Sequence, residues 1–113
     1  MKKGSPAQIA SNDFASTRHP RTAVGFDSAT GKVFIVAVDG RQPGFSTGAS
    51  LSDLTEIFFS LGCTDAVNLD GGGSTTAVVR DASGGFALKN KPSDGSMRRV
   101  STTLLVCLPD KAN

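Results

Sequence analysis

The sequence predicts an α+β domain: a mixed, mostly antiparallel sheet of about six strands with one main helix packed on one face. Three observations carry that prediction. Short β-favouring apolar runs recur along the chain, Gly, Asp, Ser and Pro residues separate them, and one stretch places apolar residues at helical spacing. With 113 residues, 38% of them hydrophobic and 19% charged, the chain is the size of one domain and too apolar to stay disordered.

Taken in order, residues 1–17 are polar, with Ile9 and Phe14 as the bulky apolar groups, and read as an arm. The domain spans residues 18–109, and residues 110–113 form a tail. Ala23 to Asp27 and Val33 to Val38 are β-favouring runs joined by Ser28-Ala29-Thr30-Gly31-Lys32, a hairpin composition. The second run is almost continuously apolar, which predicts a central strand covered on both faces. Asp39 to Gly44 is a loop. A helix follows, with Ser50 as N-cap, Asp53 in the first turn, Leu51, Leu54, Ile57, Phe58 and Leu61 as its apolar face, and Gly62 as its stop. Ala66 to Asp70, the glycine run and Thr75 to Arg80 read as strand, tight turn and strand. Asp81 to Gly85 marks another turn, Phe86 to Leu88 a short strand, Asn90 to Ser96 a loop, and Val100 to Leu108 a final strand. Without Trp or Tyr, the seven Phe residues are expected to fill the core.

Composition narrows the partners. The net charge of +2 comes from scattered Lys and Arg with no basic block, which argues against nucleic acid. Arg18, Arg21, Arg41, Arg98 and Arg99 sit in predicted loops or at their edges, where a forked guanidinium can grip phosphate or carboxylate, so an anionic small ligand is expected. No apolar stretch is long enough for a signal peptide or a membrane span. Cys63 and Cys107 are read as small hydrophobes, with a disulfide left open.

Three loops share one design, an Asp beside Gly at a strand end: Asp39-Gly40-Arg41, Asp70-Gly71-Gly72-Gly73 and Asp94-Gly95. Their carboxylates are expected to converge, and the glycines to let a substrate approach the backbone. Successive residues without Cβ can also form an anion-binding amide nest. The run is not a nucleotide-binding P-loop, because the Lys-Ser/Thr pair is missing and a strand is predicted to follow. Clustered Cys and His are lacking, which disfavours zinc, and His19 beside Pro20 reads as a partly exposed structural residue. Asp39, Asp70 and Asp94 could offer oxygens to Ca²⁺ or Mg²⁺, but no spacing matches an EF-hand, so no metal or cofactor is predicted.

Four ordered segments carry a family resemblance. Arg18-His19-Pro20-Arg21-Thr22-Ala23-Val24-Gly25, Val38 to Ser46 with Gly48 and Leu51, Asn68-Leu69-Asp70-Gly71-Gly72-Gly73-Ser74-Thr75, and Asn90-Lys91-Pro92-Ser93-Asp94-Gly95 resemble the motifs of the phosphodiester glycosidase family. That family includes the enzyme that uncovers mannose 6-phosphate by removing N-acetylglucosamine from a phosphodiester, and bacterial proteins linked to exopolysaccharide, often exported. The resemblance implies hydrolysis of a sugar-1-phosphate diester into free sugar and a phosphomonoester. It assigns Asp70 as the principal catalytic carboxylate, with Asp94 or Asp39 as its companion. Arg21, Arg41 and Arg98 would meet the phosphate together with the amides of Gly71, Gly72 and Gly73, while Asn68, Ser74 and Ser93 would orient sugar or phosphate.

Two features depart from the pattern. Where the family carries Glu-Arg-Pro-Val, this chain reads Met97-Arg98-Arg99-Val100, placing a thioether at a carboxylate position. Family domains also have an additional N-terminal portion with an Asn-Gly-Gly-type turn, which a second copy could supply in a homodimer. The competing expectations are a non-catalytic phosphoglycan-binding module or incomplete, inactive relative, and an assembly fragment in which these residues only shape turns.

Overall fold

The computed structural model describes residues 13–109, with side chains from residue 15 onward; most of the predicted arm and the tail lie outside them. The element order is α1 (Asp13–Ser16), β1 (Arg21–Asp27), β2 (Lys32–Val38), α2 (Leu51–Ser60), β3 (Asp65–Asn68), a 3₁₀ turn (Gly72–Ser74), β4 (Val78–Arg80) and β5 (Phe86–Leu88). The fold is α+β. Among the described residues, five strands form a three-stranded sheet, β2-β1-β3, and a two-stranded ribbon, β4-β5, all paired antiparallel.

The hairpin forms as expected, with Arg21 opposite Val38 and Asp27 opposite Lys32. Asp27 builds its turn: its carboxylate accepts from Ala29 N at 2.9 Å and Thr30 Oγ1 at 2.8 Å, and Gly31 supplies a φ of 75°. The expected placement of β2 is corrected, because it is an edge strand and β1 lies at the centre. Phe34, Val36 and Val38 pack on the core, whereas Val33 and Ile35 on the opposite face stay exposed. A run apolar on both faces looks central by composition, but which strands flank it is decided by chain path.

The helix α2 starts with a reciprocal capping box: Ser50 Oγ accepts from Asp53 N at 3.1 Å, and Asp53 Oδ2 accepts from Ser50 N at 2.8 Å. Leu54 and Phe58 are buried against Ala23, Ala49 and Cys63. Gly25 on β1 makes the close approach possible, since a Cβ there would fall within the Phe58 ring. Gly62 ends the helix at φ 85°. Leu61, assigned to the apolar face, is exposed beyond the helix end.

Other local expectations are also corrected. Of the seven Phe residues, Phe58 is 1% exposed, whereas Phe26, Phe45, Phe59 and Phe86 lie on the surface. The stretch after the glycine run keeps only Val78–Arg80 as strand. The Val100–Leu108 run forms no strand, and Leu108 is 91% exposed. A strand needs an edge to receive its N–H and C=O groups, and β propensity does not supply one. Both cysteines are free, Cys63 buried and Cys107 exposed. Residues 13–16 of the predicted arm form a helical turn with Ala15 buried, and α1 contacts α2.

Candidate active site

The C-terminal end of β3, the start of β1 and the loop after β2 meet at an open cleft of about 250 Å³. His19, Pro20, Arg21, Arg41, Asn68, Leu69, Asp70, Gly71 to Gly73 and Arg98 line it. Pairing places them there: β1 and β3 are antiparallel, with Ala23 opposite Asn68, so the residues after β3 run alongside those before β1. Gly72 N donates to Pro20 O at 2.9 Å and locks the two segments together.

The glycine run has a steric explanation. A Cβ on Gly71 would stand 2.8 Å from Pro20 O, one on Gly72 would stand 3.2 Å from Arg41 Nη2, and one on Gly73 would overlap the Arg98 guanidinium. Each glycine thus seats another group of the cleft against main chain. The amide-nest expectation narrows accordingly. Gly72 N is taken by Pro20 O, while Ser74 N and Thr75 N close back on Gly71 O and Gly72 O at 3.1 Å.

The three cleft arginines are held differently. Arg21 is 1% exposed; its Nε donates to Ala49 O at 2.8 Å and its Nη2 to Thr17 O at 2.9 Å, so it acts as a fixed charge in the wall. Burial, then the Arg41 charge, pull its pKa below the ordinary value. Arg41 is exposed and sits at φ 55°, a left-handed conformation uncommon outside glycine. Its Nη2 lies 3.3 Å from His19 Nδ1. Arg98 is braced by Asp94, whose Oδ2 accepts from Nε at 3.0 Å and from Nη2 at 2.8 Å. Among the described residues lining the cleft, Asp70 is the one carboxylate, so the wall is electropositive and suited to an anion.

The remaining expected site residues lie outside this lining. Asp39 is tied to the loop after β5: its Oδ1 accepts from Asn90 Nδ2 at 3.0 Å, and both its oxygens accept from Lys91 N at 3.0 Å. Asn90 also donates to Thr75 O at 2.8 Å and accepts from Ala77 N at 2.8 Å, fastening the ribbon to the end of the sheet. Asp94 is not in the lining; it sits behind it, paired with Arg98 and packed against Gly73. Ser74 belongs to the 3₁₀ turn, and Ser93 Oγ, like Asn68 Oδ1, is buried with no hydrogen-bond partner among the described residues. Among the described residues no group of three or more His, Cys, Asp or Glu side chains is placed to hold a metal ion. His19, expected from the sequence to be a partly exposed structural residue, is half-buried and also lines the cleft, within the segment from Arg18 to Gly25.

The family model for phosphodiester glycosidase matches residues 1–107. The chain belongs to the phosphodiester glycosidase family. It is 38% identical over 104 residues to the uncharacterized SPβ prophage-derived protein YomE of Bacillus subtilis (strain 168), covering 92% of this chain and 15% of that protein. It is 34% identical over 105 residues to N-acetylglucosamine-1-phosphodiester α-N-acetylglucosaminidase of Bos taurus, covering 87% of this chain and 18% of that one. A crystal structure of a protein from Burkholderia pseudomallei K96243 superposes with a TM-score of 0.59 at 44% identity, covering 68% of this chain and 14% of that chain. The chain therefore spans less than a fifth of each of these longer proteins. Within the phosphodiester glycosidase family, its Met97 is exposed and outside the cleft lining, and the bracing of Arg98 by a carboxylate falls to Asp94.

Proposed function

We propose that the cleft hydrolyses the glycosidic bond of a sugar-1-phosphate diester, releasing free sugar and a phosphomonoester. The observation that carries this reading is the convergence of Arg21, Arg41 and Arg98 with Asp70 in one cleft. Arginines can clamp the phosphoryl oxygens and stabilise the charge that grows on them as the C1–O bond breaks. A phosphate leaving group needs little protonation, so this clamp replaces part of a general acid's work. Asp70 acts at C1, either activating water or forming the glycosyl intermediate that water then opens; either way C1 gains a hydroxyl and the phosphate leaves with the bonding pair. Asn68 Oδ1, buried with no hydrogen-bond partner among the described residues, would accept from a sugar hydroxyl. Asp94 positions Arg98, and Asp39 holds the loop carrying Lys91. The family membership and the named activity of the bovine relative support the same reaction class.

A second reading, a phosphoglycan-binding module, is favoured by one observation: glycosidases of both stereochemical classes use two carboxylates, and Asp70 alone supplies one to the described lining. Release of reducing sugar from a sugar-1-phosphate diester by wild type and Asp70→Asn separates the two. Hydrolysis predicts a loss of about 10²- to 10⁴-fold on substitution. Turnover unchanged in Asp70→Asn would remove Asp70 from the mechanism, and binding without turnover by wild type would establish the module.

A further inference from the structure

His19, the chain's single histidine, lines the cleft on a fixed main chain. Its N donates to Ala49 O at 3.2 Å and its O accepts from Ala49 N at 3.0 Å. Gly48 lies so close that a Cβ there would fall on the His19 backbone, and the following Pro20 is buried. The main chain thus fixes where the ring enters the cleft, and the ring contact that orients it there is to Arg41.

The Arg41 contact determines where the ring proton sits. A guanidinium has five donors and no acceptor, so at 3.3 Å from Arg41 Nη2 the His19 Nδ1 accepts. A neutral imidazole carries one proton, which is then on Nε2. We propose that His19 contacts the bound anion as a neutral imidazole donating from Nε2, with Arg41 holding that tautomer. The proposal rests on the anion-binding reading of the cleft given above.

The charged surroundings act in the same direction. Arg41 faces the ring from the loop after β2 and Arg21 from β1, with Asp70 and Arg98 in the same cleft wall. Burial first, then the Arg41 and Arg21 charges, hold the imidazole below its ordinary pKa of 6.5. A neutral donor adds an N–H to the anion's contacts without adding a fourth positive charge to a cleft that already holds Arg21, Arg41 and Arg98. A seated anion offsets the guanidinium charges and raises the proton affinity of the ring, so binding and protonation are linked.

The test is ¹⁵N NMR of the full chain, where one histidine gives one set of ring signals, titrated with sulfate because its charge is constant over the pH range used. Long-range ¹H–¹⁵N correlations are expected to show the Nε2–H form. The titration midpoint is expected below 6.5 and to rise by about half a pH unit or more when sulfate binds. Arg41→Asn, chosen because Asn tolerates the positive φ, is expected to mix the tautomers and return the midpoint toward the ordinary value. An Nδ1–H form, or an Arg41→Asn ring indistinguishable from wild type, would overturn the proposal. So would Gly72 and Gly73 amide signals that follow sulfate while the His19 ring stays unmoved. If neither the amides nor the ring respond, the anion-binding reading itself fails and takes the proposal with it.

Discussion

Gly73→Ala asks whether the glycine run exists to seat Arg98. Gly73 is buried, and an added Cβ would overlap Arg98 Nη2 and stand 2.7 Å from both Arg98 Cζ and Asp94 Oδ2. These atoms end flexible side chains, 49% and 42% exposed, so they move and the backbone stays. Gly73 does not occupy the positive-φ region, and Ala adopts its conformation without strain. Replacing Gly stiffens the unfolded chain by about 0.4–1 kcal/mol, which offsets the ~0–1 kcal/mol of an exposed ion pair, so Tm is expected to change little. Ligand binding is expected to respond strongly. A hydrogen bond between charged groups is worth about 1.5–3 kcal/mol, or roughly 10- to 150-fold in affinity. The assay is calorimetric titration with phosphate or a sugar-1-phosphate diester, alongside thermal unfolding, for Gly73→Ala, Arg98→Ala and the double variant. Because both substitutions remove one contact, the double variant is expected to match Arg98→Ala. Affinity within about twofold of wild type in Gly73→Ala, or full additivity in the double variant, would refute the reasoning. Gly71→Ala is the contrast: its Cβ would stand 2.8 Å from Pro20 O, which is main chain, so Tm should fall.

Three further outcomes are expected. Ser50→Ala removes the α2 cap and should cost about 1 kcal/mol in urea unfolding. The Ser50 amide hydrogen bond, then the Ser50 side chain and the Arg18 charge, outweigh burial and hold the Asp53 carboxyl below its ordinary value. A folded-state pKa below the unfolded one stabilises the chain above the unfolded value near 3.8, and that contribution disappears as pH falls through the folded value. The stability gap between wild type and Asp53→Asn should therefore close at acid pH. Cys63 is buried, and desolvation with the nearby Asp27 charge pushes its thiol pKa up, whereas Cys107 is exposed. A thiol reagent should label one cysteine in the folded chain and both after unfolding, and Cys107→Ser should abolish labelling of the folded form.

The readable parts of the fold share one property: each is closed within a few residues. The Asp27–Gly31 turn, the Ser50–Asp53 capping box and the Gly62 stop each satisfy their own backbone groups locally, so residue type and spacing suffice to predict them. The strands were legible where a turn dictated their partner, as in the β1–β2 hairpin. The failures need distant information. Phe26, Phe45, Phe59 and Phe86 are as apolar as Phe58, but only Phe58 meets the gap left by Gly25. Val100 to Leu108 has strand composition and no paired edge.

The same division runs through the candidate site. Sequence by itself determined the family motifs, the glycine run and the reservoir of Arg and Asp residues at predicted strand ends, because those are properties of residue order. It could not assign three similar Asp-Gly loops to different tasks. Only the tertiary structure separated Asp70 in the cleft wall, Asp94 paired with Arg98 and Asp39 bonded to the Asn90–Lys91 segment, and only it brought His19 against Arg41. The physical reason is that a carboxylate's role follows from what it faces: Asp94 meets Arg98 four residues on, Asp39 meets Asn90 and Lys91 from a segment distant in sequence, and Asp70 reaches the cleft through the pairing of β3 with β1.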